Sequence, residues 1–344
     1  MHASYSGDLD RVAAALGDAQ WLRGKRVLIT GACGMIGSCL ADLLARLDER
    51  GGLGLTLMLN DRSPERLERR FGNLPRAALL AQDITRPLVL PEPVDLIIHA
   101  ASFADPASFS ARPVEVMQAN LGGAQQLLEL LRHQGHGRLV YVSSGEVYGD
   151  SEEQGAFVER DSGYVDPVSP RACYPSAKRA AETLCASYHH EYGVDALIAR
   201  PCHTYGQTMT PTDSRAASEF LRRAAAGEPI ILRSEGAQVR NYCYVADMAA
   251  GLLCLAARGE AGQAYNIAPE NAVVSIRDLA RTIARLGGCG FETRLSPDAA
   301  PAPIRRGVLD SRKIRALGWS EQFTLEEAVG HVLACLREQQ EDTP

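Results

Sequence analysis

Tyr174 precedes Lys178 by four residues at the start of a helix-patterned stretch, so the two side chains share one face. A free phenol ionises near pH 10 and is a poor base at neutrality. A lysine ammonium and a positively charged nicotinamide beside it would favour the phenolate, and Lys178 is also placed to hold the nicotinamide ribose. Ser144 closes the apolar run that ends at Val142-Ser143, where its hydroxyl can bridge the phenol to a substrate oxygen. Glu146, two residues further on, is suited to removing a proton or orienting a hydroxyl on the sugar side of the cofactor. Its other reading is a surface acid before a turn. Asn120, within an earlier helical stretch, can brace this region through backbone contacts or simply fill a local polar gap. Tyr and Lys at this spacing also arise by chance in helices. The pair gains meaning from the glycine loop Gly31-Ala32-Cys33-Gly34-Met35-Ile36-Gly37, because hydride transfer needs a dinucleotide.

That loop follows a short apolar run and opens a helix. Gly31 permits the tight turn, Gly34 lets the backbone approach a pyrophosphate at the helix N-terminus, and Gly37 lets helix and strand pack closely. Asp61, at the end of the next apolar run, can accept the adenosine ribose hydroxyls and would repel a 2'-phosphate, which favours NAD. Arg62 blurs that choice, since its guanidinium could pair with such a phosphate. Asp83-Ile84 follows the third run, and Asp83 either touches the adenine or only ends a strand. His99-Ala100-Ala101 places small side chains where the chain must clear the dinucleotide, with His99 itself read as structural. Arg200, closing a later run, is assigned to the cofactor side.

The elements behind these residues alternate. Runs at Val27–Ile29, Leu55–Leu59, Leu79-Leu80, Leu96–Ile98, Leu139–Val142 and Ala196–Ala199 read as strands; Ile36–Leu47, Val114–Leu131 and Ala177–Tyr192 have helical spacing. The fold class is therefore α/β: a Rossmann-type doubly wound parallel sheet with a smaller, mixed C-terminal lobe. We expect an N-terminal helical arm over residues 1–24, with a helix at 8–22 or a segment at a subunit contact. A dinucleotide domain at 25–200 follows, then a substrate lobe at 201–344 in which 242–268 returns to the first domain.

Composition narrows the classes of function. The 344 residues are 46% hydrophobic and carry a net charge of -6, with basic residues dispersed among acids, which argues against a nucleic-acid partner. Nine cysteines, odd in number and without a Cys-x-x-Cys pair, fit free thiols in a reducing cytoplasm. Residues 1–24 lack the apolar core of a secretory signal, and no stretch approaches the roughly 20 apolar residues of a membrane span. No metal site is expected: His189 and His190 are adjacent and point apart.

The glycine loop, Ser143-Ser144-Gly145-Glu146-Val147-Tyr148-Gly149-Asp150, Pro170-Arg171-Ala172-Cys173-Tyr174 and His203-Thr204-Tyr205-Gly206 resemble the extended short-chain dehydrogenase/reductase family of nucleotide-sugar epimerases, dehydratases and decarboxylases. Within it the likeness is strongest to the UDP-glucuronate decarboxylases. Asp213-Ser214-Arg215, Gln238-Val239-Arg240 and Tyr244-Val245-Ala246-Asp247 extend it towards the C-terminus. The resemblance implies NAD as cofactor, Tyr174 and Lys178 as catalytic pair, Ser144 as their hydroxyl partner and Glu146 as the carboxylate of decarboxylases and dehydratases. It also implies that Arg215, Arg240 and Arg305 or Arg306 contact the nucleotide diphosphate or ribose, which suits guanidinium forks. Ser102 and His203 join the substrate side. A homodimer built on helices 112–132 and 174–192 is implied as well.

Oxidation of the sugar 4-hydroxyl, with its proton passing to Tyr174, is common to three reactions. Decarboxylation of a nucleotide-activated uronate is placed slightly ahead of C4 epimerisation. Dehydration comes third, because Gly145 stands where 4,6-dehydratases carry an acidic residue. Ser102-Phe103-Ala104-Asp105-Pro106 departs from the usual decarboxylase segment, and Asp105 would disfavour a uronate if it faced the sugar ring. The alternative of another class is a non-catalytic nucleotide-binding scaffold.

Overall fold

Runs such as Val27-Leu28-Ile29 are apolar at every position because they become strands covered on both faces. In the computed structural model, which describes residues 2–151, 155–295 and 307–341, the first half contains α1 (Ala3–Leu16), β1 (Arg26–Thr30), α2 (Met35–Gly51), β2 (Thr56–Asp61), α3 (Pro64–Phe71) and β3 (Ala77–Ala81). Then come β4 (Leu96–His99), α4 (Pro106–Ala111), α5 (Pro113–Met117), α6 (Gly123–Gln134), β5 (Arg138–Val142), α7 (Cys173–Tyr192) and β6 (Asp195–Pro201). The second half contains β7 (His203–Tyr205), α8 (Ala216–Ala225), β8 (Ile230–Leu232), β9 (Val239–Tyr244), α9 (Val245–Arg258) and β10 (Ala264–Ile267). It ends with β11 (Val273–Ser275), α10 (Ile276–Gly287), β12 (Phe291–Thr293), α11 (Arg312–Arg315) and α12 (Leu325–Glu341).

Seven strands form one parallel sheet in the order β10-β6-β5-β4-β1-β2-β3. Val27 and Ile29 pack with α2 and α9 on one face, while Leu28 and Ile97 pack with α6 and α7 on the other, as the two-residue period of a strand requires. This is the doubly wound architecture that the alternation of runs implies. Two smaller sheets follow: β11-β9-β7, in which β9 runs parallel to β7 and antiparallel to β11, and the parallel pair β12-β8.

Two elements differ from expectation. The first helix runs from Ala3 to Leu16 and stops at Gly17, whose φ of 74° suits a residue without Cβ. It packs within its own chain: Tyr5 donates to Asp42 of α2 at 2.8 Å, and Tyr244 donates to Asp8 at 2.6 Å. His331 of α12 meets Asp8 at 2.9 Å. The single helix expected over 114–131 is three segments, α5, a π-helical turn at Gln118–Gly122, and α6. Such a wide turn inserts one extra residue and often marks a functional site. Here it carries Asn120, wholly buried, with Nδ2 donating to the Val116 carbonyl at 2.7 Å.

Candidate active site

At the carboxyl ends of β1, β2 and β4 lies a cleft of about 1140 Å³, where ligands of such sheets bind. Gly31, Gly34, Met35, Asp61, Arg62 and Asp83 line it, with Ile84, Ala100, Ala101 and Ser102 completing that wall. Gly31 has φ 67°, and a Cβ there would fall 2.7 Å from the Ala101 backbone. A Cβ on Gly37, behind the loop, would meet the Gly31 carbonyl at 2.2 Å. Ile36 is half-buried against the core. Gly34 caps α2 with no side-chain hydrogen bond, so the first amides of that helix are left for an anion. Asp61 is held by Ser63 N at 3.3 Å and stands 3.8 Å from Arg66, while the Arg62 guanidinium lies over Phe103, 4.9 Å from the ring centre. A glycine cradle with no room for Cβ, an open helix N-terminus and a carboxylate at the end of β2 together fit a dinucleotide.

Ser144, Glu146, Tyr174 and Lys178 come together beside this cleft, beneath α4. Ser144 follows β5 and accepts from Glu146 N at 3.1 Å, which caps the turn Gly145–Tyr148. Its hydroxyl lies on the side of Tyr174, whose ring stacks on Phe109 of α4 at 4.6 Å and is 6% exposed. Lys178 donates to the Val142 carbonyl at 2.6 Å and lies 4.8 Å from the Tyr141 ring centre, against 5.7 Å from that of Tyr174.

Burial pushes the Tyr174 phenol up to about 12, and Glu146 adds to the rise; Ser144, Arg215 and Arg171 pull it down. Burial brings Lys178 down to about 7, with Glu182 opposing. The Lys178 ammonium is turned towards the Val142 carbonyl, and Arg215 and Arg171 add positive charge on the phenol. Behind Lys178, Asn120 Oδ1, His99 Nε2 and the Tyr141 hydroxyl are buried polar atoms without a protein partner among the described residues. His99 Nδ1 bonds with Thr30 Oγ1 at 2.7 Å, and burial drives its pKa down to about 3, in keeping with a structural imidazole.

On the far side of the cleft, Asp213 grips Arg215 through bonds of 2.6 and 2.9 Å. Arg240 of β9 donates to His203 Nε2 of β7 at 2.7 Å, and burial with Arg240 brings His203 down to about 3, as a neutral acceptor requires. Arg240 Nε is buried without a partner among the described residues. Arg200 stands apart from the cleft: it pairs with Glu182 at 2.6 Å and donates to the Tyr148 hydroxyl at 2.9 Å and the Glu159 carbonyl at 2.7 Å. All three bonds hold β6 to its neighbours, and Arg200 is not among the residues that line the cleft. Arg305 and Arg306 lie outside the described residues. Asp105 lines the cleft and caps α4 by accepting from Ser108 N at 3.0 Å and Ser108 Oγ at 2.7 Å, with Ser214 Oγ donating to it at 3.3 Å.

Two members of the cluster are absent from the sequence expectation as site residues. Arg171 Nη2 donates to Glu146 Oε2 at 3.0 Å, and its guanidinium lies 4.7 Å from the Phe109 ring centre. Its position three residues before Tyr174 was the available signal. Phe109 gives none, because only the tertiary fold brings α4 over α7.

Residues 27–268 match the model of the NAD dependent epimerase/dehydratase family. The chain belongs to that family, and NAD is the dinucleotide its cleft fits. Among its relatives, UDP-glucuronic acid decarboxylase 3 of Arabidopsis thaliana is 33% identical over 304 residues, covering 88% of this chain and 86% of the relative. UDP-glucuronic acid decarboxylase 1 of Xenopus tropicalis is 34% identical over 320 residues, 92% of this chain and 73% of the relative. The crystal structure of a dTDP-glucose 4,6-dehydratase from Streptomyces venezuelae with NAD bound superposes with a TM-score of 0.79 at 26% identity, covering 92% and 98% of the two chains.

Proposed function

We propose that this chain is an NAD-dependent enzyme acting on nucleotide-diphosphate sugars, and that its reaction is decarboxylation of an NDP-hexuronate such as UDP-glucuronate. The observation that carries the reading is the Tyr174–Ser144 contact with Glu146 alongside and the dinucleotide cleft next to it. Relatives named as UDP-glucuronic acid decarboxylases, alignable over nearly the whole chain, support the substrate class.

Gly31, Gly34 and Gly37 with Met35 and Ile36 cradle the pyrophosphate. Asp61, Arg62, Asp83 and Ile84 take the adenosine, and Ala100, Ala101, Asn120 and Lys178 surround the nicotinamide end. NAD, when bound there, supplies reversible hydride acceptance at sugar C4. Tyr174 Oη takes the proton of the 4-hydroxyl through Ser144. Lys178, with one of its three N–H groups on Val142, has two left for a ribose. The 4-keto group makes a C6 carboxylate part of a β-keto acid, whose C5–C6 bond breaks with its electrons drawn onto the C4 oxygen. Glu146 orients the ring and handles the proton at C5. Arg215, Arg240 and His203 hold the diphosphate and ribose, and Ser102 borders the sugar.

Asp105 caps α4 but also lines the cleft, where Ser214 Oγ donates to it at 3.3 Å, so its charge counts against a uronate wherever it faces the ring. Gly145 supplies no acid beside Glu146 for the loss of water, which disfavours dehydration. The reading extends to a homodimer through α5, α6 and α7, supported by exposed Val114 and Met117 beside the small exposed residues Ala180, Thr183 and Ala186. Among the described residues no helix is long and apolar enough to cross a membrane. A cytoplasmic location belongs to the same proposal, with nine unpaired cysteines in its favour. So does the division into a dinucleotide domain over 25–200 and a substrate lobe over 201–344.

Incubation with UDP-glucuronate, UDP-galacturonate and UDP-glucose, followed by product mass, tests the reaction. A UDP-pentose lighter than its uronate by carbon dioxide is expected. An isomer of unchanged mass, or a product lighter by water, would replace decarboxylation with epimerisation or dehydration.

A further inference from the structure

Four side chains form a chain of contacts outside the nucleotide cleft: Tyr174 stacks on Phe109, Arg171 lies over the same phenyl ring, and Arg171 donates to Glu146, which sits two residues after Ser144. We propose that Arg171 is a positioning residue that fixes the Glu146 carboxylate and cancels its charge at the Tyr174 hydroxyl, so that an anion and an ionisable phenol can work side by side. The inference rests on the function proposed above for Tyr174 and Glu146.

An anion placed beside a phenol that must ionise calls for such an arrangement. Glu146 is needed near the sugar, yet a bare carboxylate next to the phenol opposes its ionisation, and burial under Phe109 strengthens any charge effect. Arg171 answers both needs. Its 3.0 Å bond sets the carboxylate direction, and the flat face of Phe109 holds the guanidinium. The opposite signs of Glu146 and Arg171 in the phenol's environment agree. The other groups facing the hydroxyl are Lys178 on α7, Tyr141 on β5 and Arg215 ahead of α8, the last of which also feels Asp105 of the α4 cap. Of these, Arg171 alone is bonded to Glu146 among the described residues.

The test reads the phenol directly. Uniform fluorotyrosine labelling lowers every phenol pKa, and the Tyr174 fluorine resonance is identified by its loss in Tyr174→Phe. Arg171→Gln should raise the Tyr174 titration by on the order of one pH unit and Glu146→Gln should lower it by a similar amount. The double variant should return close to wild type, and Arg171→Lys should restore most of the wild-type value. Should Arg171→Gln fail to fold, the downward shift in Glu146→Gln and the near-wild-type value in Arg171→Lys carry the test. Shifts in the same direction, no shift, or a double variant that stays displaced would overturn the proposal. In turnover of UDP-glucuronate with NAD, Arg171→Gln should lower kcat more than it raises KM and move the acid limb of the pH profile with the fluorine titration. A fluorine pattern as described, in a protein that converts no nucleotide sugar, would uphold this inference and contradict the proposed function.

Discussion

Tyr174 illustrates how a residue's chemistry depends on what covers it. With its ring sealed by Phe109 and buried, the phenol holds its proton until positive charge gathers around it. Tyr174→Phe should cut kcat by about 10²–10⁴-fold, the usual worth of a proton-transfer group, while calorimetry finds NAD binding unchanged. Gly37→Ala makes the opposite split. Its new Cβ would collide with the Gly31 carbonyl at 2.2 Å, so the loop must move, and NAD affinity should fall by at least tenfold before any effect on chemistry is read. Both residues were legible in the sequence, because the glycine loop and the four-residue Tyr–Lys spacing are local patterns. Arg200 was not: its partners Glu182 and Glu159 lie 18 and 41 residues away, and spacing says nothing of which face of β6 the guanidinium takes.

At the scale of elements, α4 decides access to the phenol. It is six residues long and too short to hold itself, so the Asp105 cap and the Phe109–Tyr174 stack keep it in place. Asp105→Ala should cost about 1 kcal/mol, the ordinary worth of an N-cap. Hydrogen exchange at the α4 amides should quicken more than in α7, and an equal change in both would count against a local cap. The strands and most helices were readable from apolar periodicity. The π turn around Asn120 was not, since one extra residue in a helix leaves the apolar spacing of Val116, Ala124 and Leu127 nearly intact. The start of α1 was missed for another reason: its hold on the body comes from buried polar bonds such as Asp8–Tyr244, not from a strong apolar face.

Across the whole molecule, the C-terminal segment is tied to the sheet through Asp247 on α9. Its carboxylate accepts from Gln322 N at 2.8 Å and Phe323 N at 3.3 Å, yet burial raises its pKa from 3.8 to about 7. A carboxyl raised on folding contributes its full stability below the unfolded pKa and loses it as pH climbs through the folded one. The wild type should therefore lose thermal stability relative to Asp247→Asn between about pH 4 and 7, with little further change above, as melting curves would reveal. A gap independent of pH would mean that Asp247 stays ionised in the fold.

The central claim is that a sugar 4-hydroxyl is oxidised and restored at Tyr174, and an isotope at that carbon reads it most directly. UDP-glucuronate deuterated at C4, converted by the NAD-loaded protein, should be consumed more slowly than the protiated sugar and give a pentose that retains deuterium at C4. A product formed at an unchanged rate, or with hydrogen from solvent at C4, would contradict the account.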